Sequence, residues 1–202
     1  MSMHPRYIRV LTALAVIGFC VWPVWQGVNV IRYAMAEAKP DALRPWFDVP
    51  GLAFSARENA LTSVDDSSDD KTIRKRRDEL AAILAIRPLS SSHWLKLAEA
   101  RVDAQDDLTK ALDALEMSIV TGPNEGYMIT QRGLFGVWQW ERLPPELQRR
   151  AAADLAARQI SDAKLAWLRT TLSEKTEKVR EEIRLALQAQ GFSKSNFNRI
   201  GL

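Results

Sequence analysis

WLKLAEARVDAQDDLTKALDALEMSIVTGP, residues 94–123, decides how the rest of the chain is read. Leu95, Leu97 and Ala98 form one apolar stripe. Leu108, Ala111, Leu112, Leu115 and Ile119 form a second, with apolar residues returning every three or four positions as they do along one face of a helix. Asp106-Asp107 marks the turn between the two, and Gly122-Pro123 closes the second helix, because Pro cannot continue it.

The same period extends in both directions. Leu80, Ile83 and Leu84 make an earlier stripe that begins near Ile73, and Ser90 to Ser92 supply N-caps for the helix after it. Ser161 and Ser173 have the form of caps for two later helices that close at Gly191. No segment alternates apolar and polar residues as a half-buried strand does. The expectation is therefore an all-α domain over residues 71–191, followed by a C-terminal tail over 192–202.

Within this series, Trp94, Leu97 and Ala98, then Ala111, Leu115 and Ser118, and finally Pro123, resemble one tetratricopeptide unit with one residue inserted near Asp106-Asp107. Each position has a packing reason in that family. Small residues let two helices approach, bulky ones fill the gap between repeats, and Pro stops the second helix. Leu80, Ile83 and Pro88 repeat the second half of the pattern. After Pro123 the match weakens, with Arg132 where Leu is usual and Gly136 where an aromatic is usual, although Gly133 keeps a small residue. The resemblance covers residues 73–140 and implies antiparallel helical hairpins that present a surface to a protein partner. An ordinary antiparallel helical bundle with coincident spacings is the alternative.

Upstream, Val10 to Ile31 holds 22 residues without a charge, bounded by Arg9 and Arg32. At the rise of a helix this run reaches roughly 33 Å, against about 30 Å for a hydrocarbon core. It reads as a transmembrane helix behind a short head, residues 1–9. A cleaved signal peptide ending at Ala36 is the rival, but the run is longer than a signal core. Phe19 ahead of Cys20 argues against a lipoprotein. Arg6 and Arg9 favour a cytoplasmic N-terminus, although Arg32, Lys39 and Arg44 nearly balance them. Residues 32–70 form a neck and an acidic linker: Pro40, Pro45 and Pro50 predict an extended path, Trp46 and Phe47 make it too apolar to hang free, and Phe54–Leu61 reads as a short helix. Asp65 to Asp70 then leads into the basic run Arg74–Arg77.

Composition removes several functions. The chain carries a net charge of +3, with 28 basic and 25 acidic groups. Arg6 and Arg9 precede residue 32 without any acid, so the remainder is close to neutral and offers no field for nucleic acid. One Cys and two His, His4 and His93, supply no metal cluster, and no metal or cofactor is expected. His93 reads as a surface or capping residue. No phosphate loop, nucleophile elbow or zinc helix is present. The adjacent acidic pairs Asp69-Asp70, Asp106-Asp107 and Glu181-Glu182 point about 100° apart on a helix and cannot share a substrate.

The expected contact surface is Tyr127, Arg132, Trp138, Trp140 and Arg142, since aromatic rings beside Arg suit a partner peptide or a sugar face. A spanning helix, a Pro- and Trp-rich neck, GPN after the second repeat helix and RGLFGVWQW over residues 132–140 are together similar to small bacterial inner-membrane proteins of exopolysaccharide and O-antigen assembly. That similarity implies a single-pass, non-enzymatic adaptor whose domain lies in the periplasm and meets a protein partner, with residues 10–31 in lipid. The alternatives are a structural subunit of another membrane complex and a carbohydrate-active enzyme, for which Glu141 is the one candidate acid.

Overall fold

The computed structural model describes residues 5–37, 39–62, 70–157 and 160–202, with the side chains of the first helix described from Val16 onward. The head residues through His4 and the acidic stretch Asp65–Asp69 lie outside the described residues. The described chain is all-helical, with no strand among the described residues. It divides into two compact units, residues 1–72 and 73–202.

The first unit is built on α1 (Pro5–Ala36), which continues unbroken past Pro23. From Val16 onward its surface is apolar and uncovered: Phe19, Val21, Trp22, Val24, Trp25 and Ile31 are all exposed. The expected membrane-spanning helix over Val10–Ile31 begins outside the residues whose side chains are described, which start at Val16. Among the described residues no helix is long and apolar enough to cross a membrane. Trp22, Pro23, Trp25, Gln26, Gly27 and Asn29 dilute the hydropathy of the described part of the run.

The neck also departs from expectation. Pro40–Trp46 is a 3-10 helix, because Pro at the first position presets a helical φ, and the prolines do not hold the chain extended. This turn and α2 (Ala53–Thr62) fold back on the end of α1. Leu43, Ala56, Tyr33 and Trp46 form a small core there, with the Trp46 ring edge-on to Tyr33 at 6.3 Å. The Arg32 guanidinium lies 5.7 Å from the centre of the Trp46 ring, and the Asn59 amide donates to the Tyr33 hydroxyl at 2.6 Å. Trp46 is thus packed inside its own unit.

In the second unit most of the periodic apolar residues become buried, while Leu108, Leu112 and Ile119 stay half-buried. Leu80, Ile83 and Leu84 are the buried residues of α3 (Asp70–Ile86). Leu95, Leu97 and Ala98 are buried in α4 (Ser91–Asp103), and Ala111 and Leu115 in α5 (Leu108–Thr121). Ser90 is the N-cap residue of α4, with its hydroxyl 2.6 Å from His93 Nδ1. His93 is accordingly a buried residue at the helix start, not a surface one. The turn after α4 places Gln105 at φ 54, a conformation usually given to Gly, and the Asp106 N–H reaches back to the Arg101 carbonyl at 2.9 Å. This is how the turn accommodates its extra residue.

Beyond Pro123 the chain holds more helix than its stripes show. After α6 (Gly126–Trp138) comes α7 (Pro145–Ala156), whose buried face is largely Ala: Leu147, Ala151, Ala152 and Leu155. Gly133 and Gly136 are the reason α6 and α7 lie so close. A Cβ on Gly136 would stand 2.2 Å from the Ala151 Cβ, and one on Gly133 would stand 2.6 Å from Leu155 Cγ. The departures from the repeat pattern at these positions are therefore compensated across the helix pair.

Next come α8 (Asp162–Ser173) and α9 (Glu177–Ala189). Ser161 is the N-cap residue of α8 as expected, but Ser173 ends that helix and Thr176 caps α9, accepting from the Val179 N–H. Gly191, at φ 77, ends α9, with the Phe192 N–H bonded to the Leu187 carbonyl at 3.1 Å. Residues 192–202 are not a loose tail: α10 (Lys194–Ile200) packs on α8, and Phe192 just ahead of it and Ile200 at its end enter the core formed by Leu155, Leu168, Leu172, Ile183 and Leu187. Each such side chain, fully buried, stabilises the unit by about 1.5–3 kcal/mol before entropy is counted. The strongest pairings are α4 with α5 and α6 with α7, while α6 also touches α4 and α8, and α7 touches α9.

Candidate binding groove

Because α6 lies against both α4 and α8, the outward faces of these three helices border one trough. Its first part is a hollow of about 380 Å³ lined by Glu99 of α4, by Gln131, Leu134, Phe135 and Trp138 of α6, and by Ala163, Lys164 and Trp167 of α8. A second hollow, of about 390 Å³, is lined by Arg76, Glu99, Asp103, Trp138, Trp167, Thr170, Thr171 and Glu174. Glu99, Trp138 and Trp167 border both, so the two hollows join at these residues. The spacings explain the convergence. Glu99 and Asp103 are four apart, Gln131, Phe135 and Trp138 are four and three apart, and Lys164, Trp167, Thr171 and Glu174 are three, four and three apart, so each set lies on one helical face.

The trough is partly aromatic and partly charged. Phe135 and Trp138 meet edge to face at 5.8 Å. Trp167 is 42% exposed, a large apolar surface left open to solvent. Burial pushes the Glu99 carboxyl above its ordinary value; the charges of Arg76 and Lys96 pull it back and that of Asp103 adds to the rise. No described residue donates a hydrogen bond or an ion pair to Glu99, so its charge is offset only at a distance. At the rim, Lys164 Nζ lies 4.6 Å from the centre of the Tyr127 ring, and Gln131 Nε2 donates to the Tyr127 hydroxyl at 2.8 Å.

The five residues expected to form a contact surface are divided by the fold. Tyr127 is 69% exposed on the rim, and Trp138 is half-buried in the trough wall. Arg142 is exposed and donates to the Gln139 side chain at 3.2 Å. Trp140 is 2% exposed and belongs to the core with Leu134, Val137 and Leu155. Arg132 is also 2% exposed. Its guanidinium donates to the carbonyls of Ser118 at 3.2 Å, Gly122 at 3.0 Å and Pro123 at 3.4 Å, and to the Asp154 carboxylate at 3.4 Å. Those carbonyls are at the end of α5, where a helix leaves its acceptors unpaired and carries partial negative charge, so Arg132 caps α5 from inside. Asp154 also receives Arg150 at 3.0 Å; burial pushes its carboxyl up while the two guanidiniums pull it down.

The repeat-packing residues keep to packing: Leu97, Ala98, Ala111 and Leu115 are buried, and the Trp94 indole donates to the Pro88 carbonyl at 2.6 Å, tying the start of α4 to the preceding turn. Glu141, the single candidate acid, is exposed and paired with Lys175 at 2.6 Å. Among the described residues no group of three or more His, Cys, Asp or Glu is placed to hold a metal.

No family model, curated protein or solved structure matches the chain.

Proposed function

We propose that the chain is a non-enzymatic adaptor, in which α1 associates with a membrane and the trough between α4, α6 and α8 holds a protein partner. The observation that carries this reading is the trough: it is open, crosses three helices, and exposes aromatic side chains of the kind that concentrate binding energy. Successive pairing of α4 with α5 and α6 with α7, with contacts running from α4 to α6 to α8, supports stacked tetratricopeptide-like hairpins, whose concave side serves protein contact.

The membrane part rests on the uncovered apolar surface of α1 from Val16 to Met35 together with the longer charge-free run that begins at Val10. Apolar surface of that extent is normally covered by lipid or by another helix. Single-pass insertion in a bacterial inner membrane, with the domain in the periplasm and a partner from envelope polysaccharide assembly, is the setting that the similarity of architecture favours.

The test is site-specific photocross-linking in intact cells. A cross-linking residue at Tyr127 or Thr170 is expected to capture one and the same protein, whereas one at Glu182, on α9 outside the trough, is expected to capture none. Equal capture from all three positions would remove the trough from the reading, and extraction of the full chain by alkaline carbonate would remove the membrane.

A further inference from the structure

We infer that the trough recognises a basic side chain of its partner, with Glu99 as the counter-charge and the rings of Trp138 and Trp167 as the flanking surfaces. The inference rests on the adaptor reading and adds the chemistry of the occupant.

Glu99 is the one acid that borders both hollows; beside it stand Leu134, Phe135, Trp138 and Trp167, with Gln131 and Lys164 in the first hollow and Arg76 in the second, and no hydrogen bond or ion pair from a described residue reaches it. An ionised carboxylate partly withdrawn from water and left unpaired costs free energy, and a bound cation offsets that cost. The nearby bases do not serve. Arg76 and Lys96 act on Glu99 through space without contact, and the Lys164 ammonium rests on the Tyr127 ring. Glu174 adds a second acid to the second hollow, against the one base, Arg76, that lines it.

The two indoles complete the case. Trp offers the most favourable ring face to a cation, and an Arg guanidinium both stacks on such a face and pairs with a carboxylate in its plane. A neutral sugar would use the rings but would leave Glu99 uncompensated. An acidic peptide would meet repulsion from Glu99 and Glu174. The occupant that satisfies both features is an Arg or Lys side chain on a protein segment.

The test uses the full chain in detergent micelles, labelled with 5-fluorotryptophan, with the Trp138 and Trp167 resonances assigned through Trp138→Phe and Trp167→Phe. The probes are the acetylated, amidated pentapeptide Ala-Ala-Arg-Ala-Ala and its citrulline counterpart, which has nearly the same shape and no charge. The arginine peptide is expected to shift both resonances in a saturable way and the citrulline peptide to bind at least roughly tenfold more weakly, the difference worth a charge-assisted hydrogen bond. Glu99→Gln, which keeps shape and fold, is expected to abolish that preference, while Asp113→Asn on α5 leaves it intact. Equal binding of the two peptides, no shift with either, or a shift with a neutral oligosaccharide in place of the arginine peptide would each overturn the inference. The cross-linking pattern from Tyr127 and Thr170 would survive all of these if the adaptor reading alone were right, and would be lost if that reading had failed as well.

Discussion

Replacing Arg132 by Met keeps an apolar stem of similar length and deletes the guanidinium that closes the end of α5. Three carbonyl contacts and one carboxylate contact disappear together. Breaking a buried ion pair by removing one partner costs about 3–5 kcal/mol. Two observations place this case at the low end. Arg150 still reaches Asp154 at 3.0 Å, and the Ser118 carbonyl still receives the Gly122 N–H at 3.3 Å. The expected loss is therefore about 3 kcal/mol, which at roughly 3–4 °C per kcal/mol for a domain of this size lowers the melting midpoint by about 10 °C. Thermal unfolding of the full chain followed by circular dichroism measures it. Arg132→Met combined with Asp154→Leu removes both charges and is expected to recover at least half of the loss, since an apolar pair of similar volume often replaces a buried ion pair without harm. A loss under about 1 kcal/mol for the single variant, or a double variant less stable than the sum of its parts, would refute the internal-cap argument.

Gly136→Ala is expected to destabilise the second unit by about 1–3 kcal/mol, because the new methyl would stand 2.2 Å from the Ala151 Cβ and α6 would have to move off α7; an unchanged melting midpoint would show that the two helices are not held at that distance. Ending the chain at Gly191 deletes Phe192 and Ile200 from the core and is expected to cost at least about 3 kcal/mol, read in a urea titration. Glu99→Gln is expected to raise the melting midpoint at neutral pH. Burial raises the folded carboxyl above its unfolded value, so the folded state holds the proton more tightly, and stability present at low pH is lost as pH rises through that raised value. The gain from Gln should accordingly shrink as pH falls below the ordinary carboxylate range, and a gain that grew on acidification would reverse the sign of the argument.

The helical class and the faces of α3, α4 and α5 were legible because their stripes use Leu and Ile at strict helical spacing. α7 was not, because LQRRAAADLA buries Ala and Leu behind three charged residues, and its partner is a pair of glycines that carry no periodic signal. The neck misled for a local reason: three prolines exclude an α-helix but not a 3-10 turn that starts on one of them. Arg132 misled for a tertiary one. Beside Tyr127 and Trp138 it reads as an exposed binding residue, yet the helix end left by Gly122-Pro123 needs a donor, and the nearest long cationic side chain on the adjoining helix turns inward to supply it.

The trough was the least legible feature, since its members are far apart in the chain and each has an ordinary local explanation. Glu99 sits between Ala98 and Ala100 as a solvated helix acid would, Lys164 and Trp167 lie in the first two turns of the helix that Ser161 caps, and an acid compared only with its sequence neighbours does not reveal surroundings that come from two other helices. The packing that explains the rest of the domain does not explain these residues. α4 buries Leu95, Leu97 and Ala98 and α5 buries Ala111 and Leu115, while Trp167 stays open and Glu99 is half-buried with its carboxyl pushed up. Local rules that hold through a core and fail together at one concavity point to selection for something other than stability there. The predicted gain in stability on neutralising Glu99 and the predicted loss of arginine binding in the same variant are two consequences of that single conflict.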